Sequence, residues 1–360
     1  MKLLAYTDAT SFGGAETVLG HLLAELDPTI DVAVAGIDAG VVAAVADRRP
    51  GCGKAVVRPG RGKWDLARIA AHVRAVRAHD PDIMHVNLQS PWAGQYGIIA
   101  GAIARRPVVA VEQIVFPSSS PLQRILRRSL HRRLAAHVGV GERAARDIER
   151  LLGLKPGSLE VIHNGVPDRE PDRVELPWNG PVVGALARIE PQKGLDVLVR
   201  SLVLLPDRVG CVIVGDGPER PELEALATEL GVNERLTITG WSANARDYLP
   251  SFDVVALPSR FEGFPLVVLE AMMARRPVVA TPVQSVPEAI EDGETGFLIP
   301  IDDPSSLAQA VTRLIDDPAL RERMGERART LALERFTAAR MARSYEALYA
   351  RLTPADLSDS

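Results

Sequence analysis

One stretch constrains the chain more than any other. It is the apolar run 252–257 followed by Pro258-Ser259-Arg260-Phe261-Glu262-Gly263-Phe264-Pro265-Leu266-Val267-Val268-Leu269-Glu270-Ala271-Met272. The run reads as a buried strand. The chain then turns through Gly263 and enters a helix. Pro265 suits the first helical position, where a missing N–H costs nothing. The N–H groups of Phe264, Leu266 and Val267 near that helix start have no intrahelical acceptor. With the positive end of the helix dipole they offer a seat to an anion such as phosphate. Glu262 lies in the loop and Glu270 about two turns further on. Carboxylates repel phosphate but accept hydrogen bonds from sugar hydroxyls. A ligand with a ribose, a diphosphate and a second sugar satisfies all three elements.

A chain of 360 residues suggests about two domains. Its 46% hydrophobic content can supply large cores. The net charge of −4 argues against a nucleic-acid partner. It hides an asymmetry. Residues 1–170 carry 22 Lys+Arg against 17 Asp+Glu, or +5, and the remainder carries 20 against 29, or −9. The basic half is suited to an anionic partner or membrane surface. Cys52 and Cys211 lack metal-ligand spacing, and reduced cytosolic thiols are expected. Residues 2–6 are too short an apolar run for a signal peptide. No uncharged apolar run reaches the length of a membrane span.

In chain order, 2–7 reads as a buried strand, and Gly13-Gly14 opens a helix through about residue 26. Paired glycines let a backbone approach a ligand. Further strands are expected at 31–37 and 55–58. A helix at 65–79 has Leu66, Ile69, Ala70, Val73 and Val76 on one face. Asp80 and Asp82 spell D-x-D but precede a strand instead of following one. They read as a helix-to-strand turn, and no metal site is expected. His85 reads as a strand-end packing residue rather than a catalyst, pointing toward the cleft edge. After a strand at 108–111, residues 118–120 read as a serine-rich loop. The helix expected at 122–134 places Leu122, Ile125, Leu126, Ser129, Leu130 and Leu134 on one face. Arg124, Arg127, Arg128, His131, Arg132 and Arg133 fill the rest. A proline-rich linker is expected at 167–181.

The pattern then restarts. A strand at 182–186 is followed by Arg188 and Lys193, two cations beside a helix start that can clamp a diphosphate. A strand at 211–214 leads to Gly215-Asp216-Gly217-Pro218, and one at 236–239 leads to Gly240-Trp241, read as a wall for a base. A strand at 278–281 and helix over 304–352 complete the chain, with a frayed end at 354–360.

These motifs resemble the nucleotide-sugar-dependent retaining glycosyltransferases of family 4. The signature is the E-x7-E pair Glu262 and Glu270 inside "PSRFEGFPLVVLEAM". "V-G-D-G-P" at 214–218, "I-H-N-G-V" at 162–166 and "GETGFLIP" at 293–300 extend the likeness over nearly the whole chain. The resemblance implies an α/β chain of the GT-B fold, two doubly wound Rossmann-like domains facing across a cleft. Their expected extents are 1–170 and 178–337, with the final helix, about 338–352, packing back on the first. It implies that Glu262 contacts the transferred sugar and Glu270 the ribose. Gly13, Gly14, Gly240, Gly263, Phe264, Leu266 and Val267 would bind the rest of the donor, and Arg188 and Lys193 would stabilise the leaving diphosphate.

Three departures stand out. Gln113 occupies a position where the family often has a histidine on the sugar side, so it can hydrogen-bond there but not titrate. Arg275 stands for a common glycine, and Gln284-Ser285 for a Gly-Gly pair. His85 joins Gln113 as a residue for the acceptor or sugar side.

The expected reaction moves a sugar from a nucleoside diphosphate sugar to an acceptor hydroxyl with retained configuration, without cofactor or metal. The expected donor is UDP-linked before GDP-linked. The acceptor is a lipid-linked or soluble glycan or a small molecule. The expected location is cytoplasmic, and the helix 122–134 reads either as a domain-packing helix with a solvated basic face or as a peripheral contact with an anionic membrane or phosphate-bearing acceptor. The alternatives are a GT-B nucleotide-sugar epimerase and a non-catalytic nucleotide-sugar-binding protein.

Overall fold

The computed structural model describes residues 1–58, 65–90, 92–115, 121–169 and 171–353. The serine-rich loop and the frayed end lie outside these residues. The chain divides into two compact units, Met1–Pro167 with Thr337–Ser360, and Asp168–Phe336.

The first unit is built on a seven-stranded sheet. Its strands are β1 (Lys2–Thr7), β2 (Asp31–Gly36), β3 (Gly53–Val56), β4 (Ile83–Leu88), β5 (Val108–Glu112), β6 (Ala136–Gly139) and β7 (Glu160–Val161), in spatial order β3-β2-β1-β4-β5-β6-β7. All pairings are parallel. Parallel strands are covered on both faces, so their sequences are runs of apolar residues without alternation. Accordingly every residue of β4 and β5 is buried. The helix Ala338–Leu352, at the far end of the chain, completes this unit. It packs against the helix Gly14–Glu25 and buries Met341, Ala342, Tyr345, Leu348 and Tyr349. Its start is tied by Ala338 N–H donating to Val166 O at 2.8 Å, and its end by the Arg351–Glu160 pair at 2.8 Å.

The second unit repeats the plan. Strands β8 (Val182–Leu186), β9 (Gly210–Val214), β10 (Leu236–Gly240), β11 (Val254–Leu257), β12 (Val278–Ala280) and β13 (Gly296–Leu298) lie in the order β10-β9-β8-β11-β12-β13, all parallel. Each unit is thus doubly wound. The strand order reverses between β1 and β4 in one and between β8 and β11 in the other. Open α/β sheets leave a crevice outside the strand C-termini at such a reversal. In the second unit the two flanking loops are those that carry Arg188 and Lys193 (after β8) and Glu262 (after β11).

Several local expectations are corrected. Pro265 is the N-cap of the helix Leu266–Met273, with ψ 125°, not its first helical residue. The region 304–352 is three helices, Pro304–Asp316, Pro318–Arg335 and Ala338–Leu352, the first two opened by aspartate caps and prolines at the first turn. Leu66 is 77% exposed, whereas His72 is buried with Tyr6 Oη 3.0 Å from its Nε2. Both departures from the family's glycines fall in left-handed backbone, Arg275 at φ 56° and Gln284 at φ 41°. The glycine preference there is conformational, because side chains are disfavoured in that region.

Candidate active site

The centre of the site in the second unit is a carboxylate. Glu262 is almost wholly buried. Its Oε1 accepts from Lys193 Nζ at 2.7 Å and from Ser259 Oγ at 2.8 Å. Ser259 is itself fixed, since its carbonyl accepts from Thr281 Oγ1. Glu262 Oε2 carries no hydrogen bond among the described residues and is the oxygen available to a ligand. Gly194 allows this geometry. It has φ 60°, and a Cβ there would sit 2.1 Å from Pro258 O. Only glycine lets the Lys193 turn lie against the end of β11.

Beyond Gly263, Phe264 is buried with its ring 5.3 Å from that of Phe336. This contact fixes the approach to the helix Leu266–Met273. Helical geometry leaves the N–H groups of Leu266 and Val267 without intrahelical acceptors. Glu270 lies half-buried on this helix, and burial pushes its carboxyl up against the opposing pull of Arg246. Arg188 is largely exposed and pairs with Glu190 at 2.5 Å. Both expected phosphate clamps, Arg188 and Lys193, therefore rest on carboxylates. An anion would have to compete with those carboxylates for them.

The neighbouring loops close around the same reversal. Gly215 packs so tightly that a Cβ would lie 1.9 Å from Ala187 O, and Ile189 N–H donates to Asp216 O at 3.0 Å. Gly240 turns at φ 81° and leads to Trp241, which is 78% exposed.

In the first unit, Gly13 caps the helix Gly14–Glu25 in extended backbone, φ −142°. The carboxylate of Glu16 folds back under it and accepts from Thr7 Oγ1 at 3.0 Å. Burial raises the Glu16 pKa, opposed by that hydroxyl and by the N–H groups of Glu16 and Gly13. The chain's own carboxylate thus leans on donors that the sequence reading left for a diphosphate. This is the reach-back half of a capping box.

Two expectations on the sugar or acceptor side change. His85 is the packing residue its strand-end position suggested, but it does not reach a ligand edge. It is 2% exposed, with Nδ1 2.7 Å from Tyr349 Oη and its ring edge-to-face with Tyr345. The last helix of the chain covers it, and burial lowers its pKa to about 3. Gln113 is committed at both ends of its amide. Nε2 donates to Asn87 Oδ1 at 2.9 Å, and Oε1 accepts from Asn164 Nδ2 at 3.3 Å. Asn87 in turn donates to Ala15 O at 3.1 Å, so Gln113 braces the start of the glycine-loop helix.

The basic helix spans Pro121–His131, and its faces differ from the expectation. Leu122 and Ile125 are 64% and 60% exposed, while Gln123 and Arg127 are buried. Arg127 pairs with Glu112 at 2.9 Å, beside His137. A buried carboxylate demands a cation more strongly than the core demands two more aliphatics. Asp80 and Asp82 are spent locally. Asp80 ends a helix in left-handed backbone and pairs with Arg106, and Asp82 accepts from Lys2 N–H at 2.7 Å. Among the described residues no group of three or more His, Cys, Asp or Glu could hold a metal ion, and no helix is long and apolar enough to cross a membrane.

Sequence reasoning passed over Ser259 and Thr281, the supports of Glu262, and Arg246, the cation near Glu270. A buried hydroxyl three residues before a buried carboxylate was the available signal for Ser259.

Comparison with known proteins agrees with this geometry. Residues 168–331 match the family described as Glycosyl transferases group 1, and residues 12–170 match Glycosyltransferase Family 4. The chain is 33% identical over 256 residues to the alpha-D-kanosaminyltransferase of Streptomyces kanamyceticus, covering 65% of this chain and 64% of that protein. It is 33% identical over 165 residues to the lipopolysaccharide core biosynthesis glycosyltransferase LpsE of Rhizobium meliloti, covering 46% and 48%. The matches therefore span less than two thirds of the length of these relatives. The structure of Anabaena HepE in complex with UDP and glucose superposes with a TM-score of 0.86 at 24% identity, covering 98% of this chain and 100% of that one. The fold is GT-B. The two family matches and the relatives support a glycosyltransferase of the group 1 and family 4 kind.

Proposed function

We propose that the protein transfers a sugar from a UDP-sugar to an acceptor hydroxyl with retention of anomeric configuration. The observation that carries this reading is Glu262. It is a buried carboxylate at the β8–β11 reversal, held through one oxygen by Lys193 and Ser259, with its second oxygen available beside the start of the Leu266–Met273 helix. Glu262 would orient the sugar and Glu270 the ribose. The helix N–H groups, Lys193 and Arg188 would take up charge on the departing diphosphate. The bond from the anomeric carbon to the phosphate oxygen breaks and the bond to the acceptor oxygen forms on the same face. The acceptor proton passes to the leaving phosphate, and UDP departs. The names of the relatives support sugar transfer, and the UDP bound to Anabaena HepE supports the donor class.

Thermal-shift titration with nucleoside diphosphates and their sugars tests this. A ligand at about 100 times its Kd stabilises by about 2.7 kcal/mol. UDP and a UDP-sugar are expected to give the largest shifts. Incubation of the stabilising donor without acceptor then separates the readings. A transferase leaves it intact or hydrolyses it slowly, an epimerase converts it to an isomer, and a pure binding protein does nothing with or without acceptor.

Turnover is expected to survive chelator, because charge on the leaving group meets side-chain cations and helix N–H groups, and both aspartates of the D-x-D are engaged elsewhere. Proton NMR of the product is expected to show the donor's anomeric configuration. Loss of activity with EDTA, restored by Mn²⁺, or an inverted product, would count against the mechanism.

A further inference from the structure

The loop that carries Glu262 is fastened to the turn that carries Lys193 by a side chain with no part in the chemistry above. Arg260 presents its guanidinium fork to Asp196, Nη1 to Oδ1 at 3.0 Å and Nη2 to Oδ2 at 2.9 Å. Its Nε donates to Asp302 Oδ1 at 2.8 Å, and Nη1 also reaches Pro191 O at 2.6 Å. The backbone adds two more ties. Arg260 N–H donates to Gln192 O at 2.8 Å, and Gln192 Nε2 donates to Phe261 O at 3.0 Å.

These bonds have a regular spacing. Pro191 and Lys193 are two residues apart, as are Arg260 and Glu262. Arg260 to Pro191 and Glu262 to Lys193 are therefore two rungs between the same pair of loops, with the Gln192 bonds between them. A lysine could supply the charge at residue 260 but not a planar fork with three fixed directions. Without the guanidinium, Asp196 and Asp302 would lose the cation they share.

We propose that Arg260 is a positioning residue that sets the Lys193–Glu262 contact, and through it the direction of Glu262 Oε2 toward the transferred sugar. This rests on the sugar-transfer reading of the site. The Arg260 guanidinium is engaged by Asp196, Asp302 and Pro191 O. A displacement of about 1 Å in a reacting geometry costs on the order of 10²-fold in rate.

The test uses Arg260→Lys and Arg260→Ala in the full chain, with two readouts. The first is steady-state turnover of a UDP-sugar, with UDP affinity from calorimetry. Both variants are expected to lose about 10- to 100-fold in kcat while UDP affinity holds within about twofold, and methylguanidinium is expected to restore part of the Arg260→Ala loss. The second readout needs no activity. The coupling between Lys193 and Glu262 is measured from urea midpoints of Lys193→Met, Glu262→Gln and the double variant, in wild-type and Arg260→Ala backgrounds. It is expected to vanish in the second background. Coupling that persists there overturns the proposal, whatever happens to kcat. Coupling that vanishes while wild-type protein turns over no nucleotide sugar supports the positioning role and rejects the sugar-transfer reading.

Discussion

Replacing Lys193 with alanine is expected to lower kcat by about 10²–10³-fold, the scale of losing one preorganised charge from a site of electrostatic catalysis. The proposed mechanism gives this residue two tasks. In the unliganded protein its ammonium sits 2.7 Å from Glu262 Oε1, where it offsets a carboxylate with a side chain only 6% exposed. On the proposed reading, the same ammonium also takes up charge on the departing diphosphate. Lys193→Ala removes both contributions and leaves Glu262 with Ser259 alone. Glu262→Ala removes the proposed sugar contact and frees the ammonium. Residues that act as a pair are strongly non-additive. The double variant is therefore expected to be little worse than the poorer single one. Single-turnover kinetics on the three variants decide it. Losses that multiply in the double variant would show two independent roles and dissolve the pair.

The first unit is expected to lose stability in acid, with His85 as the largest source. Its pKa falls from 6.5 to about 3 on burial. A histidine held neutral contributes fully above its unfolded pKa of about 6.5. Below that, the unfolded chain binds a proton that the native state refuses, so stability falls with falling pH until the native pKa is reached. The slope is about 1.4 kcal/mol per pH unit for one group, or about 2 kcal/mol between pH 6.5 and 5. His131, lowered to about 4, and His72, also lowered by burial, act in the same direction. Asp8 and Glu16, raised by burial, act in the opposite sense, because acid relieves the cost of their buried charge. The His85 share is isolated by comparing wild type with His85→Gln. Urea unfolding at pH 7 is expected to favour wild type, and that advantage is expected to shrink at about 1.4 kcal/mol per unit below pH 6.5. A constant difference down to pH 5 would show that His85 titrates normally.

The parts of the fold legible in the sequence are those written in local order. The strand β1 and the second-unit strand β8 coincide with their expected bounds, because apolar runs and turns are short-range signals. The loops after β8 and β11 were legible for the same reason, since a strand, a glycine and a helix start follow one another in sequence. What was not legible depends on partners far along the chain. Nothing near His85 announces that Tyr349, 264 residues later, will cover it. Apolar spacing in Pro121–His131 pointed Leu122 and Ile125 inward, but Glu112 on β5 claims Arg127 and rotates the helix the other way. Gln113 looked like a ligand contact until Asn87 and Asn164 supplied both of its partners. Arg260 carried no signal of its own, and only the approach of Asp196 and Asp302 makes it a cross-tie.

The helix Ala338–Leu352 has a consequence for biosynthesis. The second unit is one continuous piece of chain, Asp168–Phe336, whereas the first needs residues from both ends. On a ribosome working from the N-terminus, the second unit has all its parts while the first still lacks the helix that roofs His85 and the Gly14–Glu25 helix. Domains generally mature as their sequence emerges, with the earliest leading. Here the order of completion is reversed. The segment made first waits for the helix Ala338–Leu352 to leave the exit tunnel, with Val166 exposing the carbonyl to which Ala338 will bond.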